Sequence, residues 1–67
     1  SSDTVLEIGP GKGALTSFIL EKAGKVVAVE KDRELVMHLR EKFAAEITSG
    51  KLILIEDDIL DFDFLNS

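Results

Sequence analysis

Cysteine is absent from the 67 residues, and with it any disulfide. A single histidine, His38, and no cysteine argue against a structural zinc site, so no metal is expected. No apolar run approaches the roughly 20 residues of a membrane-spanning helix, and no signal-peptide pattern is visible. The expectation is a soluble, cytoplasmic protein without a membrane partner. Positive charge is also scarce: 8 Lys and Arg stand against 13 Asp and Glu, for a net charge of −5. The basic residues are scattered along the chain, in the helical segments and outside them, and interleaved with acids. A surface that grips nucleic acid clusters its cations to displace counterions from phosphates, and this chain has no such cluster.

What is present is apolar content of 45%, enough for a folded core rather than a disordered tract. The length allows one small domain, of the size that usually leans on a metal, a disulfide or a partner chain. The opening Ser1-Ser2, without methionine, hints at a piece of something longer.

Thr4-Val5-Leu6-Glu7-Ile8 is short, rich in β-branched residues and stopped by Gly9-Pro10, which predicts a strand. From Gly13 to Ala23 the apolar positions Ala14, Leu15, Phe18, Ile19 and Ala23 recur at three and four, predicting one buried helix face with Phe18 in the core. Gly24 suits the left-handed position just beyond that helix. Lys25 to Val29 reads as a second strand, ended by Glu30. Asp32 is a candidate N-cap for one helix from Arg33 to Ile47, with the stripe Leu35, Val36, Leu39, Phe43, Ile47. Phe43 and that stripe are expected in the core, and His38 on the surface. Thr48-Ser49-Gly50 turns the chain into a third strand, Lys51 to Glu56. The structure of Asp57 to Ser67 is left open.

This β-α-β-α-β order predicts an α/β fold with a parallel three-stranded sheet, strand order 3-2-1, built from right-handed crossovers. Both helices then lie on one face. The strands are nearly continuous apolar runs, as in sheets covered on both sides, so the other face should be bare and sticky. A homodimer or swapped assembly covering that face is expected.

The glycine-rich turn Gly9-Pro10-Gly11-Lys12-Gly13 joins a strand to a helix, where backbone can approach a ligand and helix N–H groups point at it. Glu30 closes the second strand about twenty residues on, where nucleotide folds carry a ribose-binding carboxylate. Asp57-Asp58-Ile59 follows the third strand. A carboxylate there can accept from an adenine amino group, and Ile59 can pack on the ring. All three positions fall at the carboxyl ends of parallel strands, where open α/β sheets bind ligands. An adenosine-containing cofactor fits this set.

Gly9-x-Gly11-x-x-Ala14 also satisfies a relaxed dinucleotide fingerprint, so an NAD-type cofactor is a competitor. Pro10 weighs against it, because it removes an N–H from a loop that would serve pyrophosphate. Several carboxylates with only Lys12 nearby suit a phosphate-free sulfonium ligand better. A self-associating structural module that binds nothing is the remaining alternative.

Val5 to Thr16, then Val29-Glu30-Lys31-Asp32, then Asp58-Ile59-Leu60-Asp61-Phe62, resemble the ribosomal RNA adenine N6-dimethyltransferase family. That family holds both dimethyladenosine transferases and macrolide-resistance methyltransferases. The resemblance covers nearly the whole chain and implies a partial Rossmann-like methyltransferase fold, with residues 1–67 one fragment of an S-adenosylmethionine-binding domain. It implies that Gly9, Gly11 and Gly13 approach the methionine part and that Glu7 supports their loop. Glu30 would hold the ribose hydroxyls, Lys31 would flank the adenine, and Asp58 would take its amino group beside Ile59. The implied substrate of the full-length enzyme is ribosomal RNA.

The chain departs from the family's pattern in lacking the upstream Gly-Gln-Asn-Phe segment, the downstream Asn-Leu/Ile-Pro-Tyr motif that receives the target adenine, and the basic C-terminal domain. Asp57 stands where glycine is frequent. No catalytic residue is assigned, and the chain alone is not expected to catalyse.

Overall fold

A computed structural model describes residues 3–57. The elements run β1 (Thr4–Ile8), α1 (Ala14–Lys22), β2 (Lys25–Glu30), α2 (Arg33–Lys42), α3 (Ala44–Ser49) and β3 (Leu52–Glu56). The three strands form one parallel sheet with β2 in the centre, order β1-β2-β3, which is the expected order read from the other edge.

Register explains where the core sits. Val5 pairs with Val26, and Val26 with Leu52, one row across the sheet; Ala28 and Leu54 make the next row on that face. Leu20 and Ala23 of the first crossover and Leu39 and Phe43 of the second pack on these rows, so both crossovers cover one face. Successive strand residues point to opposite faces. The row Leu6, Val27 and Ile53 therefore lies on the other side, where Leu6 and Ile53 are 53% and 41% exposed. The apolar face expected from the continuous strands is present and open in part: Leu6, Ile8 and Ile53 are exposed, while Val29 on the same side is buried.

The helices differ from expectation in three places. In α1 the buried positions are Thr16 and Leu20, continued by Ala23, while Phe18 and Leu15 are exposed. Phe18 is thus not core; its ring lies under the Lys22 ammonium, 5.7 Å from the centroid. The phase is set by Thr16, whose hydroxyl has a buried partner in β1, described below.

Gly24 is not left-handed. Ala23 already turns extended (φ −94°, ψ 160°), and the N–H groups of Gly24 and Lys25 both donate to the Asp3 carbonyl, at 3.0 and 3.1 Å. The chain thereby enters β2 without a left-handed cap.

The predicted single helix after Asp32 breaks at Phe43 (φ −114°, ψ 32°), giving α2 and α3. The Phe43 ring is buried against Leu39 and the backbone of Gly13, and that packing fixes the residue where the helix bends. Asp32 does cap α2, its Oδ1 accepting from the N–H of Glu34 at 2.9 Å and of Leu35 at 3.3 Å. His38 is exposed, as expected. No helix among the described residues is long and apolar enough to cross a membrane.

Candidate functional site

The carboxyl ends of the three strands bring together the glycine turn, Glu30 and Asp57. Gly9, Gly11 and Gly13 all have positive φ (65°, 61° and 90°), a region that a side chain makes costly. Their surroundings differ. A Cβ on Gly9 or Gly11 would meet nothing within 4 Å, so both border open space. A Cβ on Gly13 would come to 2.6 Å from Phe43 Cε2 and 3.0 Å from Leu39 Cδ2. Gly13 is therefore demanded by helix packing, whatever else it serves.

The turn is tied at both ends. The Gly9 N–H donates to the Val29 carbonyl at 2.8 Å, and the Gly13 N–H donates to the Pro10 carbonyl at 3.0 Å. Gly13 then occupies the N-cap of α1, with no side-chain cap and no acid in the first turn. The first-turn N–H groups of a helix have no intrahelical acceptor. Here they are left to whatever enters from outside, and their partial positive charge favours an electron-rich group.

Glu7 sits behind the loop. It is buried, and Thr16 Oγ1 donates to its Oε1 at 2.5 Å. A buried carboxylate without a donor is expensive, and Thr16, wholly buried itself, supplies one. The pair ties the first turn of α1 to β1.

Glu30 is 5% exposed, and both of its carboxylate oxygens are engaged. Oε1 accepts from the Gly11 N–H at 3.1 Å and Oε2 from the Asp32 N–H at 3.0 Å. Its own carbonyl accepts from the Asp57 N–H at 2.9 Å. The end of β2 thus holds all three loops, and the acid and the glycine turn meet at the carboxyl ends of the strands.

A family model described as "Ribosomal RNA adenine dimethylase" matches residues 1–67. The chain belongs to the ribosomal RNA adenine dimethylase family. It is similar to ribosomal RNA small subunit methyltransferase A of Geobacter sulfurreducens, with 52% identity over 94% of this chain and 22% of that protein. Among solved structures it superposes on a dimethyladenosine transferase from Plasmodium falciparum with a TM-score of 0.79 and 33% identity, over 96% of this chain and 23% of that one. The 23S rRNA methyltransferase ErmE matches with a TM-score of 0.76 and 33% identity, over 91% and 24%. The chain therefore spans about a fifth of the length of the relatives it matches, and its fold is the Rossmann-like one of methyltransferases.

In this dimethylase-family chain the structure brings Glu7, Gly9, Gly11, Gly13 and Glu30 together, while Lys31 is exposed next to them. Asp58 and Ile59 lie outside the described residues. Two contributors escape a reading of apolar periodicity. Thr16 is one; the available signal was an acid, Glu7, inside an apolar strand, and a hydroxyl in helical phase with Leu20. Lys42 is the other: its Nζ donates to the Lys12 carbonyl at 2.9 Å, pinning the turn to the end of α2. A depression of about 330 Å³ between α1 and α3, lined by Ser17, Leu20, Phe43 and Lys51 among others, lies towards the amino end of β3 and shares no residue with the glycine turn or Glu30.

Proposed function

We propose that this chain is the S-adenosylmethionine-binding portion of an enzyme that dimethylates adenine N6 in ribosomal RNA. Residues 1–67 form one fragment of its Rossmann-like domain. The observation that supports this reading is the 3.1 Å contact between Glu30 and the Gly11 N–H, which brings the acid and the glycine turn together at the strand ends.

The residues fit the cofactor. An ionised carboxylate has about four acceptor sites, and backbone N–H groups occupy two of those on Glu30. Two remain for the vicinal hydroxyls of a ribose. Gly9 and Gly11 leave room for the methionine portion, and the uncapped start of α1 offers N–H groups to its carboxylate. Glu7 fixes the turn through Thr16, Lys31 flanks the adenine, and Asp58 with Ile59 receives the adenine edge.

A dinucleotide fits less well. Pro10 has no N–H, that of Gly11 is taken by Glu30, and that of Gly13 is taken by Pro10. Within the turn itself few donors remain, and although the open start of α1 would serve either ligand, the carboxylates around it suit a cationic sulfonium better than two phosphates.

S-adenosylmethionine supplies an electrophilic methyl group, and this chain's residues bind and orient it. No catalytic residue is assigned here. The relatives' names support ribosomal RNA as the whole protein's substrate. The acidic balance of this segment supports contact with that RNA through other parts.

Calorimetric titration of the chain with S-adenosylmethionine and with NAD tests the reading. Saturable binding of the first is expected, weakened about tenfold or more by Glu30→Ala, as befits hydrogen bonds to a charged group. Heat from NAD alone would replace the reading with a dinucleotide one, and silence with both would leave a structural module.

For the chain by itself the proposal extends to a homodimer or swapped assembly through Leu6, Ile8 and Ile53, all at least 41% exposed on one sheet face. Sedimentation at rising concentration should reveal it, and a monomer throughout would dismiss it.

A further inference from the structure

Glu30 makes a set of contacts that ribose recognition does not require. A carboxylate kept for a ligand needs only to reach the crevice. This one is nearly sealed, and it spans two loops that belong to different crossovers: Oε1 holds the Gly11 N–H at 3.1 Å and Oε2 the Asp32 N–H at 3.0 Å. The neighbouring backbone adds two more ties. The Val29 carbonyl accepts from Gly9 at 2.8 Å and the Glu30 carbonyl from Asp57 at 2.9 Å.

We infer that Glu30 is a positioning residue, a latch that sets the glycine turn against the start of α2 before any ligand arrives. Its reach toward a ribose uses the acceptor sites left over. The turn needs such a latch. Three of its five residues are glycines, the least constrained residues in the unfolded chain. Gly9 and Gly11 are held by no side-chain packing, since a Cβ at either would touch nothing within 4 Å. Apart from the ties at Gly9 and Gly13 and the Lys42 contact on the outer side, Glu30 is what fixes the middle of the turn. A charge-assisted bond to a backbone N–H is stronger than a neutral one and suits that task.

The alternative is that the carboxylate only parks on these N–H groups and lets go of them when a ligand binds. The two readings differ for a ligand without the diol. A parked carboxylate has nothing to offer such a ligand, whereas a latch still shapes the loop that receives its methionine end.

The test has two arms, and only the second rests on the cofactor reading. In the first, amide hydrogen exchange is followed by NMR in the ligand-free chain and in Glu30→Gln, whose single carbonyl oxygen cannot serve both donors. Exchange at Gly11 or Asp32 should speed up about tenfold or more, while amides in the middle of β2 keep their rates. Unchanged rates at both positions overturn the latch. Should the variant fail to fold, the unaltered chain decides. A Gly11 amide at least tenfold slower than that of Lys12 supports the latch, and equal rates overturn it.

In the second arm, calorimetry compares S-adenosylmethionine with its 2′,3′-dideoxy analogue. Glu30→Gln should weaken the analogue about fivefold or more, and Glu30→Asp, which keeps the charge but loses the span, should do likewise. An analogue that binds both variants as well as the parent chain overturns the latch. If the parent chain binds neither compound, the cofactor reading falls and the exchange arm alone decides the latch.

Discussion

The two helices that begin at the crevice start in opposite ways. At α2 the chain caps itself: Asp32 accepts from two first-turn N–H groups, and Glu34 adds negative charge in the first turn. At α1 the N-cap is a left-handed glycine with no side chain to offer, and no acid follows in the first turn. One start is complete, and the other is left unfinished. The difference supports the proposed placement of a ligand at α1, whose start, unlike that of α2, has no side-chain cap. The open start is nevertheless not loose. It is held from behind by Thr16 and Glu7 and from the side by Phe43.

The most damaging way to disturb this contrast is Gly13→Ala. The new Cβ would meet the Phe43 ring at 2.6 Å in a backbone conformation that alanine avoids. Strain and overpacking together should cost about 2–5 kcal/mol. A chain of this size has roughly 3–10 kcal/mol in all, so urea unfolding should find a large share of the stability gone and a midpoint far below that of the parent chain. A stable variant would show that packing at the open start is softer than described.

Thr16→Val comes next. It keeps the shape and removes the hydroxyl, leaving the buried Glu7 carboxylate without that donor, at about 2 kcal/mol. Thr16→Ser should restore most of the loss, which separates the hydroxyl from the methyl group in the same urea titrations. Equal stability of the valine and serine variants would remove the anchor from the account.

Asp32→Ala should cost least, about 1 kcal/mol, the usual worth of an N-cap. Asn at the same position should recover it, measured by thermal or urea melting of helical circular dichroism. A cost as large as that of Thr16→Val would erase the contrast between the starts.

Much of this was legible in the residues. The strands announced themselves as short β-branched runs, and right-handed crossovers put both helices on one side once both are taken to step the same way, as they do. Asp32 declared its cap, and Gly9, Gly11 and Glu30 fell where strand ends converge. The helix-one phase was not legible from apolar spacing. Leu15 and Phe18 look like core, yet the buried stripe runs through Thr16, a polar residue whose burial depends on Glu7 nine positions earlier. Periodicity counts residue types one at a time and cannot register a pair that is buried only together. Gly24 misled for a related reason. The Asp3 carbonyl already serves the N–H groups past the helix, so no left-handed cap is needed. The bend at Phe43 likewise answers to Gly13, thirty positions away, and nothing local marks it.

The contact between Gly13 and Phe43 also constrains anyone who would redesign the crevice. Of the two glycines nearest the helix start, only position 11 has spare volume on its Cβ side, and even there the left-handed backbone restricts a replacement to residues such as Asn or Asp that tolerate it. Position 13 is closed twice over, by the aromatic ring across from it and by a backbone conformation that only glycine adopts freely, so trimming the ring alone would not open it.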